Sequence, residues 1–188
     1  MPFMATILKN LPRIGTKLKT QIQVPGLGLV KLGGNAHRLL PSTAVKLAER
    51  VNAIGKETEF DLDADGVADV IRTEASLRGE PYVMYQSTND TKEKGKFVIY
   101  GGTDGKVHLI DRMLETGETI VLGDQTANHE GAFLASVSHS GKHRAHLTDR
   151  NADGRVDLVT WRAADGVQHF RIDDDFDGQV DREGKGQP

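Results

Sequence analysis

The sequence predicts a mainly β fold of repeated β-hairpins joined by acidic loops, with a small α-containing part at its N-terminal end. Three observations predict it. From Phe60 onward the alternation of apolar and polar residues has a period of two, not 3.6. Short glycine-bearing turns punctuate these alternating runs. Between the hairpins one acidic spelling, Asp-x-Asp/Asn-x-Asp-Gly-x-x-Asp, occurs three times, at 61–69, 149–157 and 173–181. A recurring turn–strand–loop–strand unit marks a repeat architecture.

The chain of 188 residues suits one compact domain, read as a basic N-terminal segment, 1–58, followed by a β-rich loop-repeat region, 59–188. The first 58 residues hold nine Lys or Arg, with Glu49 and Glu57 as the acids. Met1 to Thr20 carries Lys9, Arg13, Lys17 and Lys19 without an acid, and lacks the apolar core and cleavage site of a secretory signal. Such a segment reads as an arm lying on the acidic remainder, or as a contact for an anionic surface or partner. Gln21 to Leu32 alternates like a strand interrupted by a Pro25-Gly26 turn. A helix is expected over about 42–54: Ser42 or Thr43 can cap it, Leu47, Val51 and Ile54 form one stripe, and Gly55 stops it.

In the β region, Phe97–Tyr100 and Val107–Ile110 flank Thr103-Asp104-Gly105, a hairpin signal. Phe133–His139 and His143–Leu147 flank Ser140-Gly141, and Leu158–Arg162 and Val167–Ile172 flank Asp165-Gly166. The mixture of 37% hydrophobic and 27% charged residues describes a turn-rich globular chain, and no apolar run is long enough to span a bilayer. The absence of cysteine excludes disulfides, zinc–thiolate sites and thiol catalysis. Nothing in the charge pattern marks a nucleic-acid surface, since the formal net charge is −3.

The acidic loops carry the chemistry. They hold twelve of the seventeen aspartates, and so many carboxylates in so little chain repel one another unless a cation sits between them. Side-chain oxygens at positions 1, 3, 5 and 9 of a tight loop, with glycine at 6 for the turn, suit a hard cation such as calcium, which takes six to eight oxygens at about 2.3–2.6 Å. Turn preference alone explains the residue types but not their repeated phase.

An EF-hand needs a glutamate at position 12 and flanking helices; here position 12 is Arg72, Thr160 or Gly184, and the flanks read as strands. Asp149-Arg-Asn151-Ala-Asp153-Gly154-Arg-Val-Asp157-Leu-Val instead resembles the calcium-binding β-hairpin loop of FG-GAP and VCBS-type repeats, as in integrin α propellers, and Asp61 to Ile71 matches nearly as well. The resemblance implies calcium ligands at Asp61, Asp63, Asp65 and Asp69, at Asp149, Asn151, Asp153 and Asp157, and at Asp173, Asp175, Asp177 and Asp181. It also implies main-chain carbonyl ligands at Val67, Arg155 and Gln179, for up to three ions. It covers three loops and their strands, and dockerins and thrombospondin type 3 repeats carry similar loops. About 130 residues of β pattern are too few to close a propeller, so an incomplete propeller-like sheet or a short solenoid is expected.

Two catalytic readings compete with this one. Phe60 to Val67 resembles the Asp-x-Asp-Gly motif of haloacid dehalogenase-like phosphatases, but Lys56–Glu59 stands where those enzymes need an apolar strand. His139, His143 and His146 cluster in sequence and suggest a histidine–aspartate hydrolase or zinc site. However, His108, His146 and His169 recur shortly before Asp111, Asp149 and Asp173, so a shared strand role is simpler, with Asp111 opening a degenerate fourth loop. The function expected is therefore a calcium-binding module with structural ions, engaged in binding a protein or extracellular ligand, or in assembly. The alternatives are a secreted metal-dependent hydrolase or a calcium sensor. Such loops span micromolar to millimolar affinities; if the weaker end applies, only a calcium-rich setting fills them, and this, with the habits of the resembled repeats, makes extracellular or cell-surface placement the expectation.

Overall fold

The structure is a computed structural model that describes residues 13–18, 20–88, 96–115, 117–124, 133–139 and 143–188, with main chain alone for 118, 124, 133–139, 143 and 144. Among the described residues the fold is mainly β: strands, one 3-10 turn at Ala36–Arg38 and no α-helix. Among the described residues no helix is long and apolar enough to cross a membrane. The chain divides into two compact units.

The first unit spans Thr20–Thr116. Strands β1 (Gln21–Val24) and β2 (Gly28–Lys31) form the hairpin expected around Pro25-Gly26. Gly26 is required there: its φ is +74°, and an added Cβ would lie 2.5 Å from Leu62 Cδ1. An antiparallel meander follows through β3 (Val45–Val51), β4 (Gly55–Asp61), β5 (Val70–Leu77), β6 (Glu80–Ser87), β7 (Lys96–Gly101) and β8 (Val107–Met113). Alternation decides which face is buried. Val83 and Tyr85 pair with Gly101 and Ile99, Ile99 pairs with Ile110, and all four side chains are buried, as are Val24, Val30, Ala36 and Val70. Burying each large apolar side chain contributes about 1.5–3 kcal/mol. Arg72 lies opposite Tyr85 in the register and donates from Nε to its hydroxyl at 2.9 Å.

The helix expected over 42–54 is a strand, β3, paired along its length with β4. Its stripe is not a buried one: Leu47, Val51 and Ile54 are 41%, 78% and 67% exposed. Charge pairs across the ladder accompany the extended form: Lys56 reaches Glu49 at 3.2 Å, and Arg50 reaches Glu59 at 2.8 Å and Glu57 at 3.8 Å. Asn52 Oδ1 accepts from the amides of Ile54 and Gly55, so the presumed helix stop is a hairpin turn. At Gly55 a Cβ would lie 2.1 Å from the Glu74 carbonyl oxygen and 2.8 Å from Ala75 Cα. Gly55→Ala is therefore expected to cost about 2–3 kcal/mol, read as a lower denaturant midpoint at unchanged slope.

The second unit comprises Gly117–Pro188 and, from the N-terminal arm, residues 13–18. Its meander runs β9 (Glu118–Asp124), β10 (Phe133–His139), β11 (His143–Asp149), β12 (Leu158–Arg162), β13 (Gln168–Ile172) and β14 (Arg182–Lys185), all antiparallel. The hairpins expected on either side of Ser140-Gly141 and Asp165-Gly166 are present, although residues 140–142 lie outside the described residues. Ile120, Leu122, Leu147, Val159 and Ile172 form its buried set. The arm lies on acidic-loop backbone: the Gly15 amide donates to Val156 O, the Leu18 amide to Gly154 O, and the Val156 amide to Thr16 O. The rest of the basic stretch, residues 1–12 and Lys19, lies outside the described residues.

Candidate metal centres

Each acidic loop follows a strand whose partner strand begins as the loop ends: β4 to β5, β11 to β12, and β13 to β14. The ladder closes each loop at its base. The amide of position 9 donates to the carbonyl preceding position 1: Asp69 to Phe60 at 2.8 Å, Asp157 to Thr148 at 2.9 Å, and Asp181 to Ile172 at 2.8 Å.

Inside the loops, one hydrogen-bond frame repeats three times. The opening carboxylates, Asp61, Asp149 and Asp173, are 1%, 2% and 1% exposed. Each accepts from the glycine amide at position 6 (Gly66, Gly154, Gly178) at 2.7, 2.7 and 2.8 Å, and from the amide at position 5 (Asp65, Asp153, Asp177) at 3.3, 3.2 and 3.2 Å. The position 3 side chains, Asp63, Asn151 and Asp175, accept from the same position 5 amides. The position 5 carboxylates accept from the amides of Val67, Arg155 and Gln179, which are exposed at the loop tips. Position 9 closes the frame, with Asp69, Asp157 and Asp181 accepting from the amides of Leu62, Arg150 and Asp174 at 2.7, 2.6 and 2.7 Å.

This frame depends on left-handed backbone at two positions. Gly66, Gly154 and Gly178 have φ of +86°, +86° and +91°, which the motif's glycine anticipates. Ala64, Ala152 and Phe176, at position 4, also have positive φ, of +61°, +60° and +62°. For residues with a Cβ this conformation is unfavourable by about 1–2 kcal/mol, and nothing in their residue type announces it. Amide-to-carboxylate bonds hold them there.

The carboxylates converge in two of the loops. One oxygen each from Asp61, Asp63 and Asp65 lies within 4.8 Å of the others, and the same holds for Asp173, Asp175 and Asp181. An all-oxygen donor set, its carboxylates oriented by backbone amides, can hold a hard metal ion. The second loop differs: Asn151 replaces a carboxylate, and Arg150 donates from Nε to Asp157 Oδ1 at 2.6 Å. The charge distribution follows this geometry. Burial opposes ionisation of Asp61, but the amides of Gly66, Ala64, Asp65 and Asp63 outweigh it and hold the carboxyl below its ordinary value. Asp63 is raised, by burial and then by the charges of Asp65 and Asp69. Although the Asp177 amide opposes it, Asp175 is raised as well, by burial and by Asp177 and Asp181. Burial also raises Asp157 against the pull of Arg150. Carboxylates that resist ionising together are ones a cation would relieve.

The fourth loop expected at Asp111 is absent, because Asp111 lies within β8 opposite Val98. Backbone phase identifies the matching place in that unit as Thr88. Its amide donates to Asp69 O at 3.0 Å, as the Asp173 amide donates to Asp157 O at 2.8 Å. The histidines sit on strands with different neighbours. His108 Nε2 meets Asp104 Oδ1 at 2.7 Å across the β7–β8 turn, and His169 stacks on Trp161 with centroids 5.4 Å apart. His139 and His143 face each other in the β10–β11 register, with their side chains outside the described set. No protein-family model, curated protein or solved structure matches this chain.

Proposed function

We propose that this protein is a calcium-binding β module whose ions are structural, pinning each acidic loop between two strands and so supporting a surface that binds a protein or an extracellular ligand. The observation that carries the reading is the repeated frame around the opening aspartates. Three separate stretches of chain direct backbone amides onto a buried opening carboxylate and accept left-handed backbone to do so, and in two of them the carboxylates converge. Calcium suits this arrangement better than magnesium, which demands a near-ideal octahedron and keeps several waters.

The residues that would hold the ions are Asp61, Asp63, Asp65 and Asp69 in the first loop, Asp149, Asn151, Asp153 and Asp157 in the second, and Asp173, Asp175, Asp177 and Asp181 in the third. The carbonyls of Val67, Arg155 and Gln179 would complete the sets, for up to three ions. A bound dication would supply charge neutralisation, while the chain's own amides fix the carboxylate orientations. Where such loops bind at the millimolar end, only a calcium-rich setting fills them, which favours work outside the cell or at its surface. The test is thermal melting of the purified protein in calcium and in chelator. A midpoint that is the same in both would overturn the structural-calcium reading.

A further inference from the structure

We propose that Arg150 joins the second and third acidic loops into one cooperative unit, so that ordering either loop orders the other. Arg150 occupies position 2 of the second loop, and its side chain leaves that loop for the next. Its Nε donates to Asp157 Oδ1 at 2.6 Å, its Nη2 donates to the Asp173 carbonyl at 2.6 Å, and its Nη1 lies 3.6 Å from Asp174 Oδ1. The guanidinium also sits 5.3 Å from the centroid of the Phe176 ring, the left-handed residue of the third loop. Thus one planar fork touches the closing carboxylate of one loop and positions 1, 2 and 4 of the other.

The backbone adds a second link, since the amide of Asp173 donates to the carbonyl of Asp157. The last residue of one loop is thereby fixed to the first residue of the next. Asp174, drawn toward Arg150 on one side, is paired on the other with Arg182 at 2.5 Å, and its carboxyl is lowered chiefly by that bond. The first loop provides an internal contrast. Its backbone link runs to Thr88, which brings no carboxylate, and its position 2 is Leu62, which has no charge to reach outward. Arginine suits the joint because its fork bonds two acceptors at fixed angles, which a lysine ammonium cannot reproduce.

That calcium is the ordering ligand rests on the function proposed above; the mechanical link does not. Hydrogen exchange of the loop amides at 61–69, 149–157 and 173–181 separates the two, compared for the full chain, Arg150→Gln, Arg150→Lys, Asp173→Asn and the Arg150→Gln/Asp173→Asn pair. In chelator, Asp173→Asn is expected to speed exchange in its own loop and, by about tenfold, in 149–157, within the usual range of coupling between sites. With Arg150→Gln already present, the effect of Asp173→Asn on 149–157 should shrink to the part carried by the backbone bond between Asp173 and Asp157, and Arg150→Lys should behave like Arg150→Gln. Exchange at 61–69 should not change. The proposal is overturned if Asp173→Asn leaves 149–157 unaltered, or if its effect there is as large without Arg150 as with it, as a general loosening of the unit would make it. The same set repeated in calcium judges the metal separately. Protection unchanged by calcium at all three loops defeats the calcium reading, while the chelator data still decide the coupling.

Discussion

Adding calcium to chelator-treated protein is expected to raise its melting midpoint by about 10–30 °C. A ligand held only by the folded state at a hundred times its dissociation constant contributes about 2.7 kcal/mol per site, so two or three sites contribute about 5–8 kcal/mol. For a chain of this length each kcal/mol moves the midpoint by about 2–4 °C. The unit holding the second and third loops should gain more than the unit holding the first, so calorimetry should show two unequal shifts. Magnesium at the same concentration should give a smaller rise, because it gives up its waters reluctantly.

Replacing an opening aspartate has the next largest expected effect. Asp61 is 1% exposed and accepts from the amides of Asp63, Asp65 and Gly66 at 3.2, 3.3 and 2.7 Å. Asp61→Ala orphans those donors, at about 1–3 kcal/mol, and removes a ligand from an ion worth about 2.7 kcal/mol more. A total loss of about 4–6 kcal/mol is expected in calcium, measured by denaturant titration. Because the folded carboxyl of Asp61 is lowered, its contribution is present above the ordinary carboxylate range and is lost as the pH falls through its folded value. Asp63→Asn should behave oppositely in chelator. Asp63 is raised in the folded state, so its ionised form works against folding at neutral pH, and the neutral amide should stabilise the metal-free protein. In calcium the same substitution should weaken binding. A variant that stabilised or destabilised under both conditions would contradict the role given to Asp63.

Much of this arrangement was legible in the sequence for identifiable reasons. Period-two alternation and the turns at Pro25-Gly26, Thr103-Asp104-Gly105 and Asp165-Gly166 locate hairpins that the structure contains. The phase of the aspartates places the loops between strands, and glycine at position 6 announces one of the two left-handed residues in each. The failures share a cause, which is dependence on partners distant in sequence. Residues 45–51 hold most of a helical stripe and no clear alternation, and it is the ladder with β4 that makes them a strand. Arg150 carries no signal in the sequence because Asp173 and Phe176, which it reaches, belong to another loop, and no local spacing connects them to it. Thr88 could be matched to an opening aspartate only through backbone bonding.

The most direct measurement is the metal content of the purified protein after equilibration with calcium and removal of free ion, by elemental analysis against protein concentration. At least two calcium ions per chain are expected, rising to three near saturation, with Asp61→Ala and Asp173→Ala each removing at least one. A chain that retains no calcium, or that takes up calcium which neither substitution reduces, would contradict the assignment of these loops as calcium sites.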